Sequence, residues 1–477
     1  MRIVVNITEE SGVDFFDYLI TYLSEFGENE YLVVAYRESV KRVLHKIKNV
    51  EKIKVLFTQT EIFNKDKAPL SSQEKLLIRE IEDKYSLDSI WQYAYQDRTL
   101  IWEKRGILYD KPSTLNRDQV LRQVIARFRK VESSLNNFKP DAVLYLSQDF
   151  GTSIATILFE VARQMKLKTL IPMHLKFDRY FTLNNDIYGP CSSFSRKYVE
   201  LQHSYMADKK YLERVEETIS SNELAFYAKP TDSRSFKLPK ISSILNLAGD
   251  GEDVYSSKLR DYLLDRLRIQ RRKRHRFQYN EIEKGEDYIF FPLHYEPELV
   301  LLVQSQEYLN QLELISRIQR SLPDNNVLVV KDHPLMNGRR KKSFYAALQS
   351  MHNVKLVHYE TNSFELINNA QAVITVIGTA GVEAFFRNIP VITLSRAWYN
   401  VLPGVEYLND LREIASLLKH MKDMKTDVRD KECFIKTVDS IGVNINLNKL
   451  IKDFANVGHC DKLAYCDLIR KSLRASE

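Results

Sequence analysis

The sequence predicts an α/β protein built from two doubly wound halves, 1–180 and 285–404, facing each other across a cleft, with a mainly helical insertion over 181–284 and a helical tail over 405–477. Short runs rich in Val, Ile, Leu and Phe recur at strand length between longer amphipathic stretches, and near-continuous apolarity of that kind marks strands covered on both faces. Alternation of such strands with helices implies right-handed crossovers and parallel sheets. A length of 477 residues accommodates two or three domains, and 44% hydrophobic with 28% charged residues excludes disordered and collagen-like classes.

In the first half the strand runs are 3–7, 31–36, 53–57, 142–146 and 169–172, and the charged stretch between the third and fourth reads as helical, with a helix at 117–135. The second half is cleaner, with strands at 288–292, 327–331, 354–358, 373–377 and 391–394, helices at 304–322 and 340–351, and shorter ones at 361–369 and 381–387. Two Rossmann-like halves place ligands in the cleft, at the carboxyl ends of their strands. The insertion ends in KLRDYLLDRLRIQRRKRHRF (258–277). Its cations, with Tyr262, Leu263 and Leu267, make a basic amphipathic helix, a candidate face for an anionic membrane; a solvated helix is the plainer alternative.

No apolar run approaches the roughly 20 residues of a membrane span. The opening MRIVVNITEESG turns acidic too soon for a secretion signal. Cys191, Cys433, Cys460 and Cys466 are scattered without a CxxC pair, which argues against a disulfide framework or a structural zinc site and for a reducing, cytoplasmic location. A formal net charge of +7 suits anionic nucleotides or an anionic membrane and is too small to argue for nucleic acid. No GxxxxGK[ST], GxSxG, HExxH or full GxGxxG is present, which disfavours the enzymes those motifs mark, nicotinamide dehydrogenases among them.

Four strand ends carry candidate chemistry. In VVKDHPLMNGRRKK (329–342) the strand ends at Lys331, Asp332, His333 and Pro334. His333 can donate to a phosphate or leaving-group oxygen, and Lys331, Arg339 and Arg340 add positive charge; the alternative is an ordinary turn with a basic helix start. In VITVIGTAGVEAFFRNIP (373–390) a strand runs into Gly378, Thr379, Ala380 and Gly381, and a helix starts at once. The glycines admit close backbone approach, the first amides suit a phosphate, and Glu383 is placed for ribose hydroxyls or merely stabilises the helix start. In DYIFFPLHYEPELV (287–300) the strand ends at His294 with Glu296 and Glu298 close by, a catalytic histidine or a structural one. In VLYLSQDFGTSIATILFEVARQM (143–165) Asp149, before Phe150 and Gly151, faces the cleft from the opposite half, as a base or as a helix cap.

FFPLHYEPE (290–298), QLELISRIQRSLPDNNVLVVKDHP (311–334) and TVIGTAGVEAFFRNIPVITLSRAWY (375–399) resemble the bacterial capsule polysaccharide biosynthesis proteins, a family that includes the Kdo transferases that build the lipid-linked start of capsules. The likeness covers roughly 285–400 and is faint in the first half, where it is limited to the Asp149 turn with Asp97, Arg98 and Arg179. It implies a GT-B glycosyltransferase of surface polysaccharide synthesis with no required metal or other cofactor. Its expected partners are a nucleotide sugar, with CMP-linked donors among the options, and a glycan or glycolipid acceptor. His333 and Pro334 are similar to the His-Pro pair with which bacterial GT-B sialyltransferases contact the nucleotide phosphate, and Gly378 to Gly381 would complete that pocket. Asp149 is loosely similar to their acidic base, with Phe150 intervening before the glycine, and His294 stands where many members have Gln.

Glycosyl transfer needs cationic and N–H donors at the departing phosphate and a base at the acceptor. A polyol-phosphate transferase, a sugar-nucleotide 2-epimerase and a non-catalytic nucleotide-sugar-binding scaffold are the alternatives of the same architecture. The expected location is the cytoplasm, at the inner face of the membrane if 258–277 docks there, with no nucleic-acid partner.

Overall fold

Two sheets with the same central strand order organise the chain. The structure, a computed structural model, describes all residues except 37, 65, 103–107, 109–111, 149–151, 221–258, 275–276, 425 and 476–477. In the first sheet β1 (Arg2–Ile7) is flanked on one side by β2 (Glu30–Ala35) and β3 (Ile53–Thr58). On the other side lie β4 (Ala142–Tyr145), β5 (Lys168–His174), β6 (Tyr180–Asn184) and β13 (Val443–Asn444). In the second, β7 (Tyr288–Pro292) is flanked by β8 (Val327–Lys331) and β9 (Val354–Val357) on one side, and by β10 (Ala372–Thr375), β11 (Val391–Thr393) and β12 (Val405–Tyr407) on the other. In both, the chain lays three strands outward from the centre and then returns to the other side of the first. That reversal opens a crevice beside β1 and beside β7.

The apolar runs explain the layers. Along β1, Val4 packs on one face with the helices Arg117–Phe138 and Ser153–Gln164, while Ile3, Val5 and Ile7 pack on the other with Gly12–Ser24. Both faces are covered, so every residue of the run is apolar except Asn6, whose amide donates to the Val34 carbonyl. The long helix starts where Asn116 and Gln119 cap each other reciprocally, at 2.8 and 3.1 Å, and it runs to Phe138 rather than to 135.

Three expectations are corrected or refined. The insertion begins inside the first sheet, because β6 is a strand. Only five residues separate it from β5, too few for a crossover, so it pairs antiparallel, Pro172 opposite Leu183. The tail is helical over most of its length, as expected, but it packs on both lobes. Val405–Tyr407 is the edge strand of the second sheet, and the helix Val428–Ile441 packs on the insertion helices Ser192–His203 and Lys209–Ser220. The chain then returns to the first lobe, where β13 covers the open edge of β6 and Tyr465, Cys466, Ile469 and Leu473 of the last helix enter its core. Third, 304–322 is not one helix: Val300–Gln304 is a π-helical turn, and Asn310 caps a shorter helix, Gln311–Gln319.

The turn at Val300–Gln304 joins the lobes. Leu302 and Val303 sit in the first lobe's core, and the Gln304 amide donates to the Ile187 carbonyl at 2.8 Å. The architecture is GT-B-like: two Rossmann-like lobes bolted at one side and facing a cleft at their strand ends.

Candidate functional site

Both lobes line one cavity of about 930 Å³. The first lobe contributes the end of β5 with His174 and Lys176, and Asn184 and Asp186. The second contributes the ends of β7, β8 and β10, with His294, His333 and the Gly378 turn. Since β10 and β8 both pair with β7, the His333 turn and the Gly378 turn flank the His294 turn. Two strand spacings put them roughly 10 Å apart across the mouth of the crevice. A smaller cavity of about 340 Å³ lies at the matching switch point of the first lobe, by Thr8, Glu9, Ser147 and Gln148; it shares Tyr295, Glu298 and Leu299 with the large one.

The His333 turn is held from beneath. Asp332 accepts from the His333 N–H at 2.8 Å, from the Tyr345 hydroxyl at 2.6 Å and from Arg340 Nε at 3.1 Å. Arg340 also pairs with Glu296 at 2.9 Å and donates to the His294 carbonyl at 2.8 Å. This buried cation ties the first turn to the second and is not presented to a ligand. The Leu335 N–H donates to His333 Nδ1 at 3.2 Å, which assigns the ring proton to Nε2. Burial pushes the His333 imidazole down, against the opposing pull of Glu298 and Asp332, so at neutral pH it is a neutral donor.

His294 is 8% exposed. Its backbone is clamped by the Gln311 side chain, which accepts from its N–H at 2.8 Å and donates to its carbonyl at 3.1 Å. Its Nδ1 lies 2.8 Å from Glu298 Oε1. A carboxylate can only accept, so Nδ1 carries a proton, and in the neutral ring Nε2 is then the nitrogen with the lone pair. Nε2 is buried with no hydrogen-bond partner among the described residues, in a residue that lines the large cavity. Trp398 Nε1 is a second such polar atom, in a ring packed on Phe194 at 4.6 Å.

The glycine turn is packed closely against protein. A Cβ on Gly381 would lie 2.7 Å from the Tyr399 ring, and one on Gly378 would lie 2.5 Å from Thr375 Oγ1. The Gly378 N–H already donates to that oxygen at 2.9 Å, and its carbonyl accepts from the Tyr399 hydroxyl at 2.8 Å. The glycines therefore make room for protein, and the Gly378 amide is spent. Thr379 and Ala380, which open the helix Thr379–Phe386, line the cavity. Glu383 lies in the same wall, its carboxyl pushed up by burial against the opposing charge of Arg387. Lys331 donates to Ser363 Oγ at 2.7 Å, its ammonium pushed down by burial.

The cavity thus brings together His294, His333, Lys331, Pro334, Gly378, Thr379, Ala380 and Glu383. Arg339 is not among its lining residues: its guanidinium bonds the Tyr295 hydroxyl at 2.7 Å and lies over that ring, so it braces Tyr295. Asp149, with Phe150 and Gly151, lies outside the described residues. Asp97 is fully buried against Arg127 at 2.6 Å and accepts from the Ser153 N–H at 3.0 Å, which makes it a brace for the helix after the Asp149 turn. Arg98 lines the smaller cavity, and Arg179 is exposed beside neither. Lys176 and Trp398 also line the cavity and carry no motif in the sequence.

Residues 250–428 match the family model of the capsule polysaccharide biosynthesis proteins. This is the family the sequence pointed to. Two curated relatives are Protein FixF of Sinorhizobium fredii, 25% identical over 30% of this chain and 34% of that protein, and the capsule polysaccharide export protein KpsS of Escherichia coli, 28% identical over 23% and 28%. The matches thus span about a third or less of those relatives. Among solved structures, the β-Kdo 2,4 transferase KpsC of Thermosulfurimonas dismutans is 12% identical over 61% of this chain and 82% of that one, with a TM-score of 0.32. The UDP-GlcNAc 2-epimerase of Methanocaldococcus jannaschii is 13% identical over 92% and 100%, with a TM-score of 0.26. Scores this low leave the fold resting on strand order and the chemistry on the cleft.

Proposed function

We propose that the chain is a glycosyltransferase of surface (capsular) polysaccharide synthesis, moving a sugar from a nucleotide-activated donor to a hydroxyl of a glycan or glycolipid. The observation that carries this reading is the His294–Glu298 pair. Its Nε2 is buried without a partner among the described residues, and the residue lines a cavity whose other walls hold neutral His333, Lys331 and the first amides of a helix. Nε2 takes the proton of the acceptor hydroxyl, and that oxygen forms the new bond to the anomeric carbon. The bond from that carbon to the donor phosphate breaks, and the nucleotide leaves with the electron pair. Glu298 stabilises the imidazolium that forms, as a carboxylate behind a catalytic histidine does. His333 Nε2–H, Lys331 and the amides of Thr379 and Ala380 meet the charge on the leaving phosphate, in a reading that requires no metal.

The smaller cavity supports the placement of the acceptor. It adjoins the large one at Glu298, and Tyr295 offers it an aromatic wall. In this reading the acceptor comes from a membrane-associated pool. Among the described residues no helix is long and apolar enough to cross a membrane. The helix Leu259–Lys273, however, presents exposed Leu263, Leu264 and Leu267 beside its arginines, which supports docking on an anionic surface. Incubation of the purified chain with a panel of CMP- and UDP-sugars tests the proposal. Release of free nucleotide that rises when oligosaccharide acceptor is added is expected. Isomerised donor would assign the cleft to an epimerase, and binding without turnover to a scaffold.

A further inference from the structure

Lys176 stands out among the charged groups to which nothing above assigns a role. It follows β5 on the first lobe, in a left-handed turn with φ 53°. The turn is pinned: the Lys176 N–H donates to His174 Nδ1 at 2.9 Å, and His174 Nε2 reaches the Asp178 carbonyl at 3.2 Å. From that anchor the side chain crosses the cleft, and its ammonium donates to the carbonyl of Ile377, one residue before the Gly378 turn. It also lies 5.7 Å from the centre of the Tyr399 ring. The charged groups that face it are Glu298 and Glu383, and both support its charge against the cost of burial.

An ammonium has three N–H donors, and the Ile377 carbonyl, its one acceptor among the described residues, uses one of them. A half-buried cation with two unused donors, on a cavity wall beside the amides of a helix start, is matched to an anion of several oxygens. We propose that Lys176 is a ligand of the donor's phosphate, a cation supplied across the cleft by the lobe opposite the nucleotide turn. This rests on the nucleotide-sugar reading above and goes beyond it, because it makes the first lobe read the phosphate directly. Binding of a nucleoside phosphate draws the ammonium from the Ile377 carbonyl to the phosphate oxygens. The alternative is a strut that merely joins the lobes.

Calorimetric titration of the full chain with CMP, UDP, cytidine and uridine separates the two. Lys176→Met should weaken CMP or UDP binding at least about tenfold, the scale of a charge-assisted contact, and leave the corresponding nucleoside unchanged. Lys176→Arg should keep most of the nucleotide affinity and guards against misfolding of the methionine variant. Burial pulls the ammonium down to about 8, so nucleotide affinity of the parent should fall as pH rises from 7 to 9, whereas the arginine variant should stay flat. Equal nucleotide binding by Lys176→Met, or equal losses for nucleotide and nucleoside, would overturn the assignment while leaving the glycosyltransferase reading intact. A parent chain that binds neither CMP nor UDP would remove that reading, and this inference with it.

Discussion

Replacing His294 by alanine isolates the chemical step from binding. The substitution removes Nε2 and the partner of Glu298, but the turn keeps its backbone clamp, because Gln311 holds the N–H and carbonyl of residue 294 at 2.8 and 3.1 Å. His294→Ala should therefore fold with a midpoint close to the parent's and bind nucleotide as the parent does. Loss of a positioned general base costs about 10² to 10⁴ in rate. Glu298→Gln can still accept from Nδ1 at the observed 2.8 Å but loses the charge that favours imidazolium. Exchanging a charge-assisted for a neutral hydrogen bond is worth about 1–1.5 kcal/mol, or roughly five- to tenfold in kcat. Because both changes act on one proton transfer, the double variant should be no slower than His294→Ala alone. The assay is nucleotide release under donor saturation, with the donor that turns over best, alongside titration with the matching nucleotide. A His294→Ala enzyme that retains more than about a tenth of the parent's kcat would refute the assignment of the base.

Four further outcomes follow from the same geometry. His333→Ala should reduce donor use by at least about tenfold, the roughly 1.4 kcal/mol of a hydrogen bond to a charged oxygen, and unchanged kinetics would take the ring out of the mechanism. Gly381→Ala forces a methyl to 2.7 Å from the buried Tyr399 ring and should lower stability by about 1–3 kcal/mol in urea titration, whether or not nucleotide is bound. Burial pulls His174 from 6.5 down to about 4, so the unfolded chain binds a proton in that window that the folded chain refuses. Stability from this residue is complete above pH 6.5 and lost as pH falls towards 4, and His174→Gln should flatten that part of a Tm-against-pH curve. Vesicles rich in phosphatidylglycerol should sediment the parent and not a variant with Leu263, Leu264 and Leu267 replaced by serine; equal sedimentation would exclude this helix as the docking face.

Most of the second lobe was legible because its information is local. Each apolar run there is a strand, and the turns after β7, β8 and β10 end in the residues expected to carry chemistry. The edges of the first lobe were harder to read. Tyr180–Asn184 is short and half polar, and Val443–Asn444 is two residues long, so neither carries a periodic signal. The glycines of 378–381 were recognised as a tight turn, but their cause, the Tyr399 ring and the Thr375 hydroxyl, lies in a neighbouring segment and in the strand before. Lys176 had no motif around it, since its reach depends on a left-handed turn and on a carbonyl two hundred residues away in the other lobe.

Local pattern alone therefore determined the α/β class, the two halves, the placement of His294, His333 and the 378–381 turn at strand ends, and the capsule-type resemblance. Only the tertiary structure decided that β8 and β10 flank β7, that Arg340 is a buried brace and Arg339 a support for Tyr295, and that the tail closes the first sheet. The reason is physical. Periodic burial leaves its mark on neighbouring residues of one chain segment, whereas a charge's partner, an amide's acceptor and the lining of a cleft depend on segments that share no pattern until they pack.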